Sequence, residues 1–178
     1  MNANWLVLVA IMAGGPSGDN TTRDAKVSKS VFVLPGGARV EIAEAPFEPK
    51  LNRIEGCGKD DELCLINGRP PFGVSFGLPK TYVQGITVSF MGRSYQLDVT
   101  DMYDAWGERS SKRGERRWFG GQCYKSSFCV FRGVFGDGGD TYVAEWSVYR
   151  GVVSRTVITD ADDVVNVFME NIERPRLD

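Results

Sequence analysis

Four cysteines fall in two close pairs, and the chain contains no histidine. Cys57 and Cys64 bracket one short polar stretch, and Cys123 and Cys129 bracket another. An even set of closely spaced cysteines predicts a disulfide framework and hence an oxidising compartment. Structural zinc sites favour about two to four residues between paired ligands; both intervals here are longer, and without histidine the site would need an all-thiolate shell. Buried free thiols acting as small apolar residues are the other alternative. The favoured pairing is local, Cys57–Cys64 and Cys123–Cys129, because a short loop closes easily once its hairpin forms. Such bridges need Cα separations of about 4.4–6.8 Å. Each closes a ring smaller than the roughly 15 residues for which about 3 kcal/mol is expected. The missing histidine removes the commonest general base, metal ligand and proton shuttle at neutral pH. No catalytic residue, metal site or cofactor is therefore expected, and the pattern points to an exported binding protein.

The N-terminus bears on export. Trp5 to Ala13 is an uninterrupted apolar run, followed by Gly14-Gly15-Pro16-Ser17. It falls short of the about 20 residues that span a bilayer but suits the apolar core of a signal peptide. No Lys or Arg precedes it, which leaves room for a longer leader, a membrane anchor or a buried first strand. Residues 1–29 are expected to be a hydrophobic leader or anchor plus a flexible connector. Residues 30–178 are expected to form a single domain in the periplasm, touching the membrane only through the leader. Formal net charge is −2, so no general attraction to nucleic acid is expected.

The body of the chain predicts strands closed by one helix. Val31–Leu34 and Val40–Ile42 flank a hairpin turn, and Glu44 to Arg53, with its two prolines, is expected to be irregular. Leu63–Ile66 is a short strand candidate ended by Asn67-Gly68. Ile86, Val88 and Phe90 alternate with polar residues, as do Tyr95, Leu97 and Val99, around Met91-Gly92-Arg93. That alternation marks strands with one buried face. Phe128–Phe135, Tyr142–Val148 and Val152–Ile158 read as a meander. Thr159-Asp160-Ala161-Asp162 has the shape of a capping box, after which Val164, Val165, Phe168 and Ile172 share a helical stripe. The predicted class is α+β, a mostly antiparallel sheet with a C-terminal helix on one face.

Several constellations could carry chemistry. Gly73-Val74-Ser75-Phe76-Gly77 matches the hydrolase serine elbow, but the triad's histidine is absent and a glycine-bracketed bend is the simpler reading. Arg109, Lys112, Arg113, Arg116 and Arg117 crowd between Trp106 and Trp118 and read as a solvated loop, since Glu108 and Glu115 sit among them. Asp98, Asp101, Asp104 and Glu108 surround a helix-like stretch, Thr100 to Trp106, and paired carboxylates can run a glycosidase without histidine. Asp60-Asp61-Glu62, inside the first cysteine loop, would be a preorganised negative protrusion if a disulfide pins it.

Leu97-Asp98-Val99-Thr100-Asp101-Met102-Tyr103-Asp104-Ala105-Trp106-Gly107 and Trp118-Phe119-Gly120-Gly121 with its nearby cysteine pair resemble a group of small proteobacterial proteins. Tyr142–Trp146, and Arg155–Thr159 followed by Asp162–Val165, continue the likeness. That group is similar to immunity proteins paired with antibacterial toxins, including effectors of type VI secretion, and the resemblance covers the second half of the chain. It implies a non-catalytic protein that blocks a cognate toxin. The expected contact residues are Asp60, Asp61 and Glu62, then Tyr103, Asp104 and Trp106, because aromatic residues anchor interfaces. The alternatives are a periplasmic carboxylate-dependent hydrolase and a membrane-tethered structural module of the envelope.

Overall fold

The computed structural model describes residues 27–34, 36–58, 64–106, 119–124, 128–136 and 138–172. Two four-stranded antiparallel sheets face one another, and a helix covers the outer side of the second. The class is α+β as the sequence pattern predicts, with eight strands divided between two sheets and a further two-stranded ladder beside them.

The first sheet has the order β1-β2-β5-β6. β1 (Ser28–Val33) and β2 (Arg39–Pro46) form a hairpin, with Ser28 opposite Glu44 and Val33 opposite Arg39. β5 (Thr81–Phe90) pairs with β2 across a register shift between Ala43 and Glu44 that leaves Gln84 unopposed in the ladder and turns Val83 inward, while Glu44 stays on the buried face of Val40 and Ile42. β6 (Arg93–Leu97) returns along β5. Met91 and Gly92 between them have φ of 48° and 74°, the left-handed pair that a two-residue hairpin turn demands. β2 runs on through Pro46 opposite Thr81, so the irregular stretch expected from Glu44 begins three residues later.

The second sheet is a meander in sequence order: β7 (Phe119–Tyr124), β8 (Phe128–Phe135), β9 (Tyr142–Tyr149) and β10 (Val152–Thr159). Its central strands are apolar on both faces because both are covered. Phe131, Phe135, Tyr142 and Trp146 face the first sheet and pack with Val40, Ile86 and Val88. Val134 and Val143 face the other way, under Val165 and Phe168 of α1 (Asp162–Glu170). On that same outer side Arg132 meets Glu145 at 2.7 Å, directly across β8 and β9. Its guanidinium also donates to the Asn171 carbonyl at 3.0 Å and lies 4.7 Å over the Phe168 ring.

Helix α1 starts later than the capping-box pattern predicts. β10 keeps pairing with β9 as far as Thr159 opposite Val143, so Ala161 becomes the cap and the Thr159 hydroxyl accepts the Ala161 amide at 3.1 Å. The helix expected over Thr100–Trp106 is absent. Asp101 and Asp104 have φ of 64° and 38°, and the backbone is spent on tertiary partners. The Val83 amide donates to the Met102 carbonyl at 2.9 Å, Phe72 donates to Asp101 at 2.9 Å, and Tyr103 donates to Phe72 at 3.0 Å. Asp101 and Asp104 therefore do not share the helical face their spacing predicts, and Glu108 lies outside the described residues.

Both disulfides form within single hairpins, Cys57–Cys64 and Cys123–Cys129. All four cysteines are bridged. Their Cα separations are 4.3 and 3.9 Å, just under the expected window. The second bridge joins directly opposed residues of β7 and β8, and the first closes the end of the two-residue ladder between β3 (Ile54–Glu55) and β4 (Leu65–Ile66).

Candidate binding groove beside the disulfide lobe

Between β2 and β5 the chain leaves the sheet and builds a lobe from residues 47–58 and 64–80. Its parts are a single 3₁₀ turn at Pro49–Leu51, the β3–β4 ladder closed by Cys57–Cys64, and a bend at 73–77. Phe47, Ile66 and Tyr103 form its small apolar core, with Ile54, Val74 and Tyr82 packed around them. The Phe47 and Tyr103 rings meet edge-on at 5.7 Å. Polar ties fix the lobe internally: Asn67 accepts the Arg53 amide at 3.0 Å and donates to the Asn52 side chain at 2.8 Å, and Asn52 donates to the Glu48 carbonyl at 2.9 Å. Gly73 marks where lobe and sandwich touch. With φ of 91°, a Cβ there would lie 2.3 Å from the Tyr103 carbonyl oxygen, so only glycine fits.

A groove of about 590 Å³ opens between this lobe, the start of β5 and the crossing segment 99–103. Phe47, Tyr82 and Tyr103 supply its aromatic walls and Leu51 its rim, while Glu48 and Asp101 bring carboxylates to it. Asp101 faces Arg69 at 3.5 Å. Burial, with the charge of Asp101 added, pushes the Tyr103 hydroxyl above its ordinary pKa.

Of the sequence-predicted contact residues, Tyr103 lines the groove. Asp104 points back into the fold, where its carboxylate accepts the Lys80 amide at 2.9 Å and the Thr81 amide at 2.7 Å. Trp106 is half-buried; its indole donates to the Val134 carbonyl at 3.2 Å and its ring sits 5.4 Å from Phe135. Asp60, Asp61 and Glu62 lie outside the described residues, as do Arg109, Lys112, Arg113, Arg116 and Arg117. Phe47, Glu48, Leu51 and Tyr82 were not legible as site residues, because no local pattern joins them to Tyr103.

The remaining reactive groups are engaged in structure. The Ser75 hydroxyl reaches the Asp140 carboxylate and the Gly139 carbonyl, latching the 73–77 bend to the β8–β9 connection. Asp98 accepts the Thr100 hydroxyl at 2.7 Å and amide at 2.9 Å. Burial pushes Asp98 up, but those bonds and the charges of Arg155 and Arg69 outweigh it and hold the carboxyl below its usual range. Glu44, buried between the sheets, accepts the Trp106 amide at 3.3 Å and the Thr81 hydroxyl at 3.2 Å. Among the described residues no group of three or more histidine, cysteine or carboxylate side chains could hold a metal ion. No described helix is long and apolar enough to cross a membrane.

Tyr142 gives this region a pH signature. It is fully buried and donates to the Tyr103 carbonyl at 3.0 Å. Burial first, then the Glu44 and Asp104 charges, push its hydroxyl well above the ordinary value of 10.0, against a smaller pull from Arg155. Below that value the tyrosine is neutral in both folded and unfolded chains. Above it the unfolded chain ionises first, so stability is lost as pH rises toward the folded pKa. Unfolding free energy measured against pH should fall above about pH 10, and Tyr142→Phe should flatten the fall, leaving a shallower slope from Tyr103. An equal slope in the variant would show that Tyr142 is not the group responsible.

Comparison with protein-family models, curated proteins and solved structures finds no match to this chain. Two disulfides indicate an oxidising, exported environment.

Proposed function

We propose that this protein is a non-catalytic, immunity-type inhibitor that works in the periplasm and neutralises a cognate bacterial toxin by covering its active site. The observation that carries the reading is the clasped lobe. Cys57 and Cys64, 4.3 Å apart at Cα, hold the two ends of the loop that contains Asp60-Asp61-Glu62. The bridge itself packs against the apolar core of Phe47, Ile66 and Tyr103. A segment whose two ends are already fixed binds with a smaller entropic cost, and its negative charge steers a positively charged cleft toward it. The engagement of Asp98, Asp104, Glu44 and Glu145 in internal bonds supports inhibition over hydrolysis.

The test uses the product of the neighbouring gene as first candidate toxin. Reversing both charges, Asp60→Lys with Asp61→Lys, should slow association about tenfold at low salt and weaken its salt dependence. Full protection with an unchanged association rate would remove the acidic-loop mechanism.

A further inference from the structure

We propose that the groove beside the lobe receives a cationic side chain, lysine or arginine, from the partner protein; this rests on the reading of the chain as a protein-binding inhibitor. The groove's size, about 590 Å³, suits a side chain or small ligand. Its chemistry selects among them. Three aromatic residues, Phe47, Tyr82 and Tyr103, line it, together with the acidic Glu48 and Asp101, and no described lysine or arginine is in the lining. Glu48 is exposed and makes no ion pair among the described residues. Asp101 has Arg69 only at 3.5 Å, and that arginine is largely solvent-exposed.

The hydroxyls of Tyr82 and Tyr103 make no hydrogen bond to any described residue, although Tyr142 uses the Tyr103 carbonyl. An anion here would be opposed by the negative charges of Glu48 and Asp101. A neutral apolar group would strip water from them with nothing in return. A cation on an apolar stem satisfies both halves of the lining: the stem lies against Leu51 and Phe47, while the charge faces aromatic rings and carboxylates. The rings and Asp101 are held by the lobe core and by the Phe72–Met102 bridge, so the site is formed before a partner arrives.

The isotopically labelled, full-length disulfide-bonded protein is titrated by NMR with N-acetyl-arginine amide. N-acetyl-norleucine amide and N-acetyl-glutamate amide serve as neutral and anionic controls. The arginine probe should give saturable shifts in the amides of residues 45–52, 82–84 and 99–103, and the controls should not. Glu48→Gln should weaken the arginine probe by about fivefold with the rest of the spectrum unchanged, because Glu48 is exposed; Tyr82→Ala should weaken it by a similar factor and also shift the amides of the lobe core that Tyr82 packs against. Equal shifts from the norleucine probe would overturn the charge selectivity. Saturable shifts confined to other surfaces, or none, would overturn the site. Loss of the groove response with toxin protection intact would sink this inference alone, whereas a groove response without any toxin protection would sink the inhibitor reading and leave the cation site standing.

Discussion

Arg132→Ala should lower the unfolding free energy by about 3–5 kcal/mol, measured by urea titration followed by circular dichroism. The side chains of Arg132 and Glu145 retain only 12% and 8% of their exposure. Removing the cation therefore leaves a carboxylate beneath helix α1 with, among the described residues, only the Thr156 hydroxyl, at 2.9 Å, as a side-chain donor. Two further contacts are lost with it: the bond to the Asn171 carbonyl, which satisfies the end of α1, and the face-on contact with Phe168. The companion variant separates charge from packing. Replacing both members of the pair with apolar residues of similar volume removes the stranded charge and should restore most of the loss. A loss below about 1 kcal/mol in the single variant would mean that the pair behaves like an exposed one.

Trp146→Ala should cost about as much, roughly 3–5 kcal/mol, by a different route. The indole is wholly buried between the sheets, stacked 6.1 Å from Phe119 and edge-on to Phe135 at 6.2 Å. Its N–H donates at 2.7 Å to the Asp98 carbonyl, where the chain leaves β6. Truncation opens a cavity in the main core and also releases the tie between the sheets. Trp146→Phe keeps one aromatic ring in the core and loses the donor and part of the indole's volume, so it should cost less, about 1–3 kcal/mol. If the two variants were equally destabilised, the hydrogen bond rather than the ring would dominate. Denaturant midpoints for the pair distinguish these outcomes.

What could be read from the sequence follows from where each signal is local. Ile86, Val88, Tyr95 and Leu97 alternate because the first sheet has one wet face, and period two survives in the residues themselves. The helix is visible in Val165 and Phe168 for the same reason. β7 is not visible, because its interior carries Gly120 and Gly121 where a strand pattern would carry side chains. Both are demanded by neighbours distant in sequence or across the ladder. A Cβ on Gly120 would lie 2.8 Å from the Ile172 carbonyl, and one on Gly121 would lie 2.5 Å from the Phe131 ring. The stretch 100–106 misleads for a related reason. Its carboxylate spacing imitates a helix face, yet its amides and carbonyls bond to residues 72, 81 and 83, so tertiary pairing overrides local preference. The groove is hidden most completely, since its walls come from four separated parts of the chain that only the fold brings together.

The placement of both disulfides within single hairpins has a consequence for how the chain matures. The bridged cysteines are 7 and 6 residues apart, and any crossed pairing would close a loop roughly tenfold longer. Loop-closure entropy disfavours such crossed pairs by about 2 kcal/mol, roughly a thirtyfold preference for the native partners before any tertiary structure exists. Each bridge can form as its own hairpin emerges from the export channel, without waiting for the rest of the sandwich. Oxidation then becomes an early, self-sorting event in biogenesis, and the chain has little need of a disulfide isomerase.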